Sequence, residues 1–369
     1  MSDFKITILE RFEDWDSVKY RLTKFEKECP PDCYMNWHYQ YAVWKSNYPG
    51  RRAWLVEVFG DSGLIGAAFL VEDASKKCGM NFKILRTMDF ALMHMPPMMM
   101  KRGCGHEATA KFLDARAALQ RASGADLVAL YKMSPSACGP LLKELRSRKI
   151  NSKLDVFNRS HEIVLHEGLE PYFKSKRRKS IYNIRRSRKL LSEAVGGDLE
   201  ILRLRGEDYE SEKFKKALKR FSMVRSCSWQ HDEAVKRGGG YDLMISRFFE
   251  EVMKDWGKKG WLDLVLLQSD GRLLAGQVNV VFDQKQWIAL MSFDKSLAAF
   301  SPGRVLFFMQ IQDAYERGDR ELILGGESET GKAFWANRLR ETLKIEFFLP
   351  SIKGRLWCLR RRLGDFLDK

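Results

Sequence analysis

The chain has 369 residues, of which 45% are hydrophobic and 30% charged, and this composition excludes a disordered protein. Such a length exceeds one ordinary hydrophobic core and predicts two domains. The formal net charge is +16, but 13 of the excess positive charges lie in two segments, 173–191 and 353–369. The basic character therefore describes two surfaces and not the fold.

The first half of the chain alternates helical and strand patterns. Hydrophobic spacing predicts helices over 14–28 and 37–46, and a Gly-Asp-Ser-Gly turn joins strands 53–59 and 64–72 into a hairpin. The further elements expected are helix 107–122, a buried strand in ADLVALYKM, helix 139–149 and strand 153–158. The sequence thus predicts a mixed α/β domain over residues 1–160.

The second half begins with a basic helix, predicted over 173–193 and ended by Gly196-Gly197. The elements expected after it are strand 199–205, helix 208–223, helix 241–256, three meander strands, a loop at 295–303, helix 304–317, a strand, helix 331–341 and a last strand. This order predicts a second α/β domain with a mixed sheet over residues 161–350. Residues 351–369 form a basic amphipathic tail.

The seven cysteines indicate a reducing compartment. Their number is odd and their spacing irregular, and Cys29 and Cys33 have no second Cys or His pair at a zinc-like distance. We therefore expect free thiols and no metal. The N-terminus has no apolar signal core, and no run of about 18 apolar residues occurs. A cytoplasmic protein is predicted, and the basic tail leaves open a peripheral contact with anionic lipid at the inner membrane face.

The element order of the second half resembles the core of the GNAT acyltransferase fold. More narrowly, SPGRVLFFMQIQDAYERGDRELILGG, followed by Glu329, Lys332 and Trp335, resembles the CelD-like acetyltransferases of cellulose and exopolysaccharide biosynthesis, as does the basic stretch at 172–191. The first half resembles that family more loosely, through WHYQYAVW and its hairpin. The resemblance implies two GNAT-like domains in tandem. Fem-type aminoacyl transferases, which also pair two such domains, are more distantly similar.

The resemblance implies acetyl-CoA or another acyl-CoA as acyl donor, with its thioester arm between two parallel strands that separate. The donor's pyrophosphate is expected on free backbone N–H groups where a loop enters a helix, because the helix dipole favours an anion there. This junction of loop and helix N-terminus, the helix entrance, comprises Ser301, Pro302, Gly303 and Arg304. The usual Q/R-x-x-G-x-G/A signature is absent from this loop, so a plain helix N-cap stays open as an interpretation.

The candidate catalytic groups lie just after the strand that follows this helix. Glu327 and Glu329 are placed where an acceptor arrives in a GNAT fold, and either is a candidate general base through water. Lys332 is a candidate anion clamp, with Trp335 in the acceptor site; exposed acids and a solvated lysine beside core aromatics are the simpler interpretations. His231, in a polar Gly-rich loop, is the alternative catalytic residue.

The basic helix is predicted to be anchored by one face. Its apolar residues on that face are Ile181, Ile184 and Leu191. Cations cover the rest, and Arg177, Arg178 and Arg185 are the candidates for holding an anionic acceptor. Nothing like a DNA-binding motif accompanies them. Nucleic acid therefore remains as a partner only in the form of tRNA.

The sequence predicts an N- or O-acyltransferase acting on a sugar precursor, a glycolipid or a related acceptor. One alternative keeps the fold and uses an aminoacyl-tRNA donor, as Fem-type enzymes do. The other is a non-catalytic GNAT scaffold, because Gly331 stands where the CelD-like family has a tyrosine before the lysine. The acyl group, the acceptor and the oligomeric state stay open.

Overall fold

A computed structural model describes residues 3–30, 36–77, 79–88, 98–165, 168–228, 240–326 and 331–356. The chain divides into two compact units, one formed by residues 1–159 with 341–369 and the other by residues 160–340. The boundary between them falls inside two long strands, so each half of the chain contributes to both units.

The first unit combines helices and strands in the alternation that the sequence predicts. Its helices are α1 (Phe12–Glu26), α2 (Trp37–Asn47), α3 (Gly105–Asp114), α4 (Arg116–Ser123) and α5 (Pro135–Ser147). Its strands are β1 (Phe4–Leu9), β2 (Ala53–Gly60), β3 (Gly63–Lys77), β4 (Met80–Thr87), β5 (Met99–Met100) and β6 (Leu127–Met133), with the first part of β7 (Ser152–Val164).

The second unit has the same mixture. Its helices are α6 (Leu169–Lys174), α7 (Arg178–Val195), α8 (Glu212–Ser226), α9 (Gly240–Lys258), α10 (Pro302–Glu316) and the single turn α11 (Lys332–Trp335). Its strands are β8 (Glu200–Arg205), β9 (Leu262–Ser269), β10 (Arg272–Phe282), β11 (Lys285–Phe293) and β12 (Glu321–Gly326), with the start of β13 (Arg338–Phe348).

The two units repeat one strand order. In the first unit β1, β2, β3 and β4 are antiparallel neighbours, β6 lies parallel to β4, and β13 lies antiparallel to β6. In the second unit β8 to β11 are antiparallel neighbours, β12 lies parallel to β11, and β7 lies antiparallel to β12. In each unit the last strand of this order therefore comes from the other half of the chain. The predicted α/β class with a mixed sheet is confirmed.

The basic segment departs from the single helix predicted over 173–193. It contains α6, a break at 175–177 and then α7. The apolar face is as predicted, because Ile181, Ile184 and Leu191 are the buried residues of α7. The helix ends at Gly196, whose φ of 74° suits glycine at a helix C-terminus.

The core of the second unit places α10 against the sheet. Leu191 of α7 and Leu306 of α10 pack with Val265 and Ala275 of the strands beneath them. A neighbouring cluster joins α10 to Trp335 and to Leu322 and Leu324 of β12. The helix α10 and the turn α11 are thereby packed against strands of the same sheet.

Candidate active site

The parallel strands β11 and β12 pair over only three residues and then separate. Their register joins Lys285 to Glu321 and Trp287 to Ile323, and no described residue of either strand continues this pairing. Past it, Ile288 and Leu324 belong to the cluster that contains Trp335. A separation of parallel strands, flanked by a helix entrance, is the arrangement that the resemblance implies for a thioester arm.

The predicted entrance at α10 offers few hydrogen-bond donors to an anion. Ser301 has a positive φ of 52°, and its carbonyl accepts from the N–H groups of Arg304 at 2.9 Å and Val305 at 3.2 Å. Pro302 has no N–H. Among the described residues, the N–H of Gly303 is therefore the one donor between 301 and 305 without an acceptor in reach. The hydroxyl of Ser301 does not cap the helix.

The equivalent entrance in the first unit is richer in donors, and its residues are not among the site residues predicted from the sequence. Gly103 has a φ of 80°, and the N–H groups of Gly103, Gly105, His106 and Glu107 have no backbone acceptor within the described part of the chain. A Cβ added at Gly103 would meet nothing within 4 Å. The stretch KRGCGHEATAKF carried the signal, since its Gly-x-Gly spacing directly precedes a helix.

This first-unit entrance adjoins a small apolar cavity of about 120 Å³. Gly105 and Thr109 of α3 line it on one side, and Leu130 of β6 and Leu141 of α5 on the other. The parallel pairing of β4 with β6 stops at Arg86 and Ala129. Both units thus contain separating parallel strands beside a helix entrance.

Lys332 and Trp335 lie on α11, next to the separated strands of the second unit. Trp335 is 5% exposed and makes edge contacts with Phe307 at 5.1 Å and Phe334 at 4.9 Å between ring centroids. Lys332 is not the fully solvated lysine of the simpler interpretation, because burial lowers the pKa of its ammonium group. A cation in such a position is attracted to anionic ligands more strongly than an exposed one.

Two side chains, one from α6 and one from the break that follows it, hold the C-terminal end of α11. The hydroxyl of Tyr172 donates to the carbonyl of Trp335 at 2.6 Å, and the ammonium of Lys176 donates to the carbonyl of Ala336 at 2.7 Å. These carbonyls are orphan acceptors at the end of a helix. The end of α11 is therefore tied to α6 and to the segment that joins α6 to α7.

The buried position of Lys176 gives a pH-dependent prediction for stability. Burial lowers its pKa from 10.5 to about 8, so between these values the unfolded chain binds more protons than the native one. The contribution of Lys176 to the free energy of unfolding therefore rises with pH across that window. Because the ammonium keeps partial contact with water, we expect wild type to gain about 1 kcal/mol over Lys176→Met between about pH 8 and about pH 10.5.

The control for this prediction is Lys176→Arg, because arginine stays charged throughout the window. Urea unfolding at several pH values measures the three proteins. If the difference in unfolding free energy between wild type and Lys176→Met stays constant with pH, the ammonium does not titrate in that range.

The predicted acceptor residues Arg177, Arg178 and Arg185 are exposed, and the described residues provide no ion pair for any of them. Tyr182, 65% exposed, lies one helical turn after Arg178. Glu327, Glu329 and His231 lie outside the described residues. A Cβ added at Gly331 would meet nothing within 4 Å of described atoms, so the backbone there leaves room for the family's tyrosine.

Searches for other kinds of site give two negative findings within the described residues. No group of three or more His, Cys, Asp or Glu side chains is placed to hold a metal ion there. Across the same residues, no helix is long and apolar enough to cross a membrane.

The comparisons with known proteins agree with this geometry. A family model described as acetyltransferase (GNAT) domain matches residues 175–333, which lie within the second unit. That part of the chain is thus similar to GNAT-type acetyltransferase domains. Since the first unit repeats its strand order, the predicted tandem of GNAT-like folds is also confirmed. No curated protein sequence matches the chain.

Solved structures similar over nearly the whole chain include three with low sequence identity. A conserved protein of unknown function from Bacteroides thetaiotaomicron is 11% identical, with a TM-score of 0.53, covering 94% of this chain and 100% of the other. The C-terminal domain of a putative lysylphosphatidylglycerol synthetase from Agrobacterium fabrum is 12% identical, with a TM-score of 0.51 and coverage of 94% and 95%. L-PGS from Bacillus licheniformis is 12% identical, with a TM-score of 0.51 and coverage of 93% and 95%. At these identities the likeness concerns the fold alone.

Proposed function

We propose that the chain is an acyltransferase that moves an acyl group from acyl-CoA to an amino or hydroxyl group. The observation that supports it most is the separation of β11 from β12 beside α10 and α11, inside the segment that matches the acetyltransferase family. The acceptor we propose is a sugar precursor or glycolipid, in keeping with the CelD-like motifs around Ser301 and Trp335. The protein would then work in the cytoplasm, at or near the inner face of the membrane.

The proposed reaction is a direct transfer. The acceptor's nitrogen or oxygen attacks the thioester carbonyl, a C–N or C–O bond forms, and the C–S bond breaks with release of the thiol. The acceptor's proton passes to a general base, for which Glu327 and Glu329 are the candidates. Lys332, with its half-buried ammonium, would hold an anionic group of donor or acceptor.

The exposed cations of α7 support an anionic acceptor. Arg178 and Arg185 lie on the outer side of a helix whose inner side is fixed by Ile184, so they are presented on a rigid surface. Guanidinium groups pair with phosphate or carboxylate in a two-point geometry. We propose that this face holds the anionic part of the acceptor.

The second candidate function uses the same cations for tRNA. An aminoacyl-tRNA donor is favoured by the length of the cationic face of α7 and by its exposed Tyr182, on which a base can stack. Binding of charged tRNA that falls steeply with salt would support it. Insensitivity of such binding to salt would exclude it.

Hydrogen exchange with mass spectrometry tests where the donor binds. With acetyl-CoA present, we expect added protection in peptides containing residues 300–306 and 332–336. Peptides containing residues 101–108 are the internal control, because they carry the equivalent entrance of the first unit. Protection of the control peptides alone would move the donor to the first unit and contradict the proposed site.

A further inference from the structure

A pocket of about 350 Å³ in the first unit is lined by cations. It lies between the start of α4, the turn joining α5 to β7 and the segment that follows β13. Arg116, Arg148, Lys149 and Arg355 line it, and no carboxylate is among the lining residues. Phe348 contributes an aromatic ring. A concave site with several cations and one ring offers charge-assisted hydrogen bonds and an apolar surface to a small anionic ligand.

Within the part of the chain that the structure describes, three of the four cations form no ion pair. Arg148 pairs with Asp114 and with Glu144, the latter at 3.1 Å. For Arg116, Lys149 and Arg355, by contrast, no ion-pair partner lies among residues that the structure describes. The positive charge of the pocket therefore exceeds what the surrounding carboxylates balance.

The guanidinium of Arg116 is oriented by a hydrogen bond and lies close to a second cation. Its Nε donates to the carbonyl of Leu113 at 3.0 Å, which fixes the orientation of the group. Burial lowers the pKa of Arg116, and the charge of the neighbouring Arg148 lowers it further. An anion bound between the two guanidinium groups would offset their mutual repulsion.

The backbone at the rim of the pocket is also unusual. Lys149 has a φ of 51°, in the left-handed region where glycine or asparagine normally ends a helix. Gly354 is closely packed, since a Cβ added there would come within 3.1 Å of the carbonyl oxygen of Leu349. The segments bearing Lys149 and Arg355 are therefore in defined positions, not on free loops.

We propose that this pocket binds the phosphate of a small phosphorylated molecule. A phosphate accepts two-point hydrogen bonds from guanidinium groups, as Arg116 and Arg355 could supply. Phe348 offers a surface for the remainder of the molecule. The pocket lies at the first residue of β6, to which Phe348 is paired, whereas the helix entrance of this unit lies toward the other end of that strand. The proposal is independent of the proposed acyl transfer.

Calorimetric titration of the full chain tests the proposal with inorganic pyrophosphate and a sugar 1-phosphate, and with sodium chloride at matched ionic strength as the blank. We expect saturable binding of at least one phosphate probe, weakened about tenfold by Lys149→Gly and by Arg355→Gln. Glycine suits the positive φ, so the midpoint of thermal unfolding should not fall in Lys149→Gly. This separates loss of the site from loss of the fold.

The matched control is Arg146→Gln, an exposed cation of α5 that does not line the pocket. Its affinity for the probes should stay within about twofold of wild type. Equal affinity in wild type and all variants, or heats no larger than those of the chloride blank, would overturn the proposal. So would binding confined to vesicles containing phosphatidic acid, because a membrane surface and not a pocket would then be the ligand.

Discussion

Replacing Glu162 by alanine is expected to destabilise the second unit by about 3 kcal/mol or more. The Glu162 side chain has no exposed surface. Its two oxygens lie 2.7 Å from nitrogens of Arg338 and Arg340. Both guanidinium groups also approach Glu321, at 2.9 and 3.3 Å. Alanine would leave two partly buried cations with a single carboxylate, and an unpaired buried charge is costly.

The matched control is Glu341→Ala, in the neighbouring part of β13. Glu341 pairs with Arg159 at 3.1 Å, but both side chains are more than 40% exposed. Such a surface pair contributes about 0–1 kcal/mol. Chemical unfolding followed by hydrogen exchange assigns each loss to its unit. Equal losses in the two variants would show that the buried network does not carry the stability that its geometry implies.

Replacing Trp335 by alanine should lower the free energy of unfolding by a comparable amount. It should also disturb the candidate active site more than the Glu162 variant does. The side chain is almost fully buried against Phe307 and Phe334, and truncating a buried tryptophan costs about 3–5 kcal/mol. Trp335 also belongs to the single turn that carries Lys332. Its loss should therefore loosen α11 and expose Lys332 to water.

Two further variants serve as controls for the Trp335→Ala prediction. Trp335→Phe keeps a ring in the site and should lose less than half as much stability. Leu339→Ala removes an apolar side chain that is 48% exposed, and should cost about 0.5 kcal/mol. Protection of residues 332–336 against hydrogen exchange measures the local effect. Unchanged protection in Trp335→Ala would mean that Tyr172 and Lys176 alone hold the turn.

Much of the fold follows from local pattern. The meander of the second half is visible in alternating strands and in Asp270-Gly271, whose φ values of 45° and 77° fit a tight hairpin turn. The anchoring face of α7 is visible in its apolar spacing. The pairing of β13 with β6 and of β7 with β12 is not visible in this way, because tertiary packing and not the strand's own residues selects its neighbours.

The site was less predictable than the fold. Lys332 and Trp335 stood out through their motif, but the lowered pKa of Lys332 depends on burial that only the folded chain provides. Glu162 carried no signal, since its partner Arg338 is 176 positions away in sequence. The Gly103 entrance is marked in the sequence only by its short Gly-x-Gly spacing, whereas the longer motif lies in the second half.

Calorimetric titration with acetyl-CoA tests the central claim most directly. The account predicts saturable binding at millimolar concentration or below, with one donor per chain and weaker binding in Lys332→Met. Circular dichroism and a cooperative unfolding transition would establish that both proteins are folded. Absence of binding to folded wild type at millimolar acetyl-CoA and longer acyl-CoA would contradict the account, leaving the tRNA-dependent transferase or a non-catalytic scaffold.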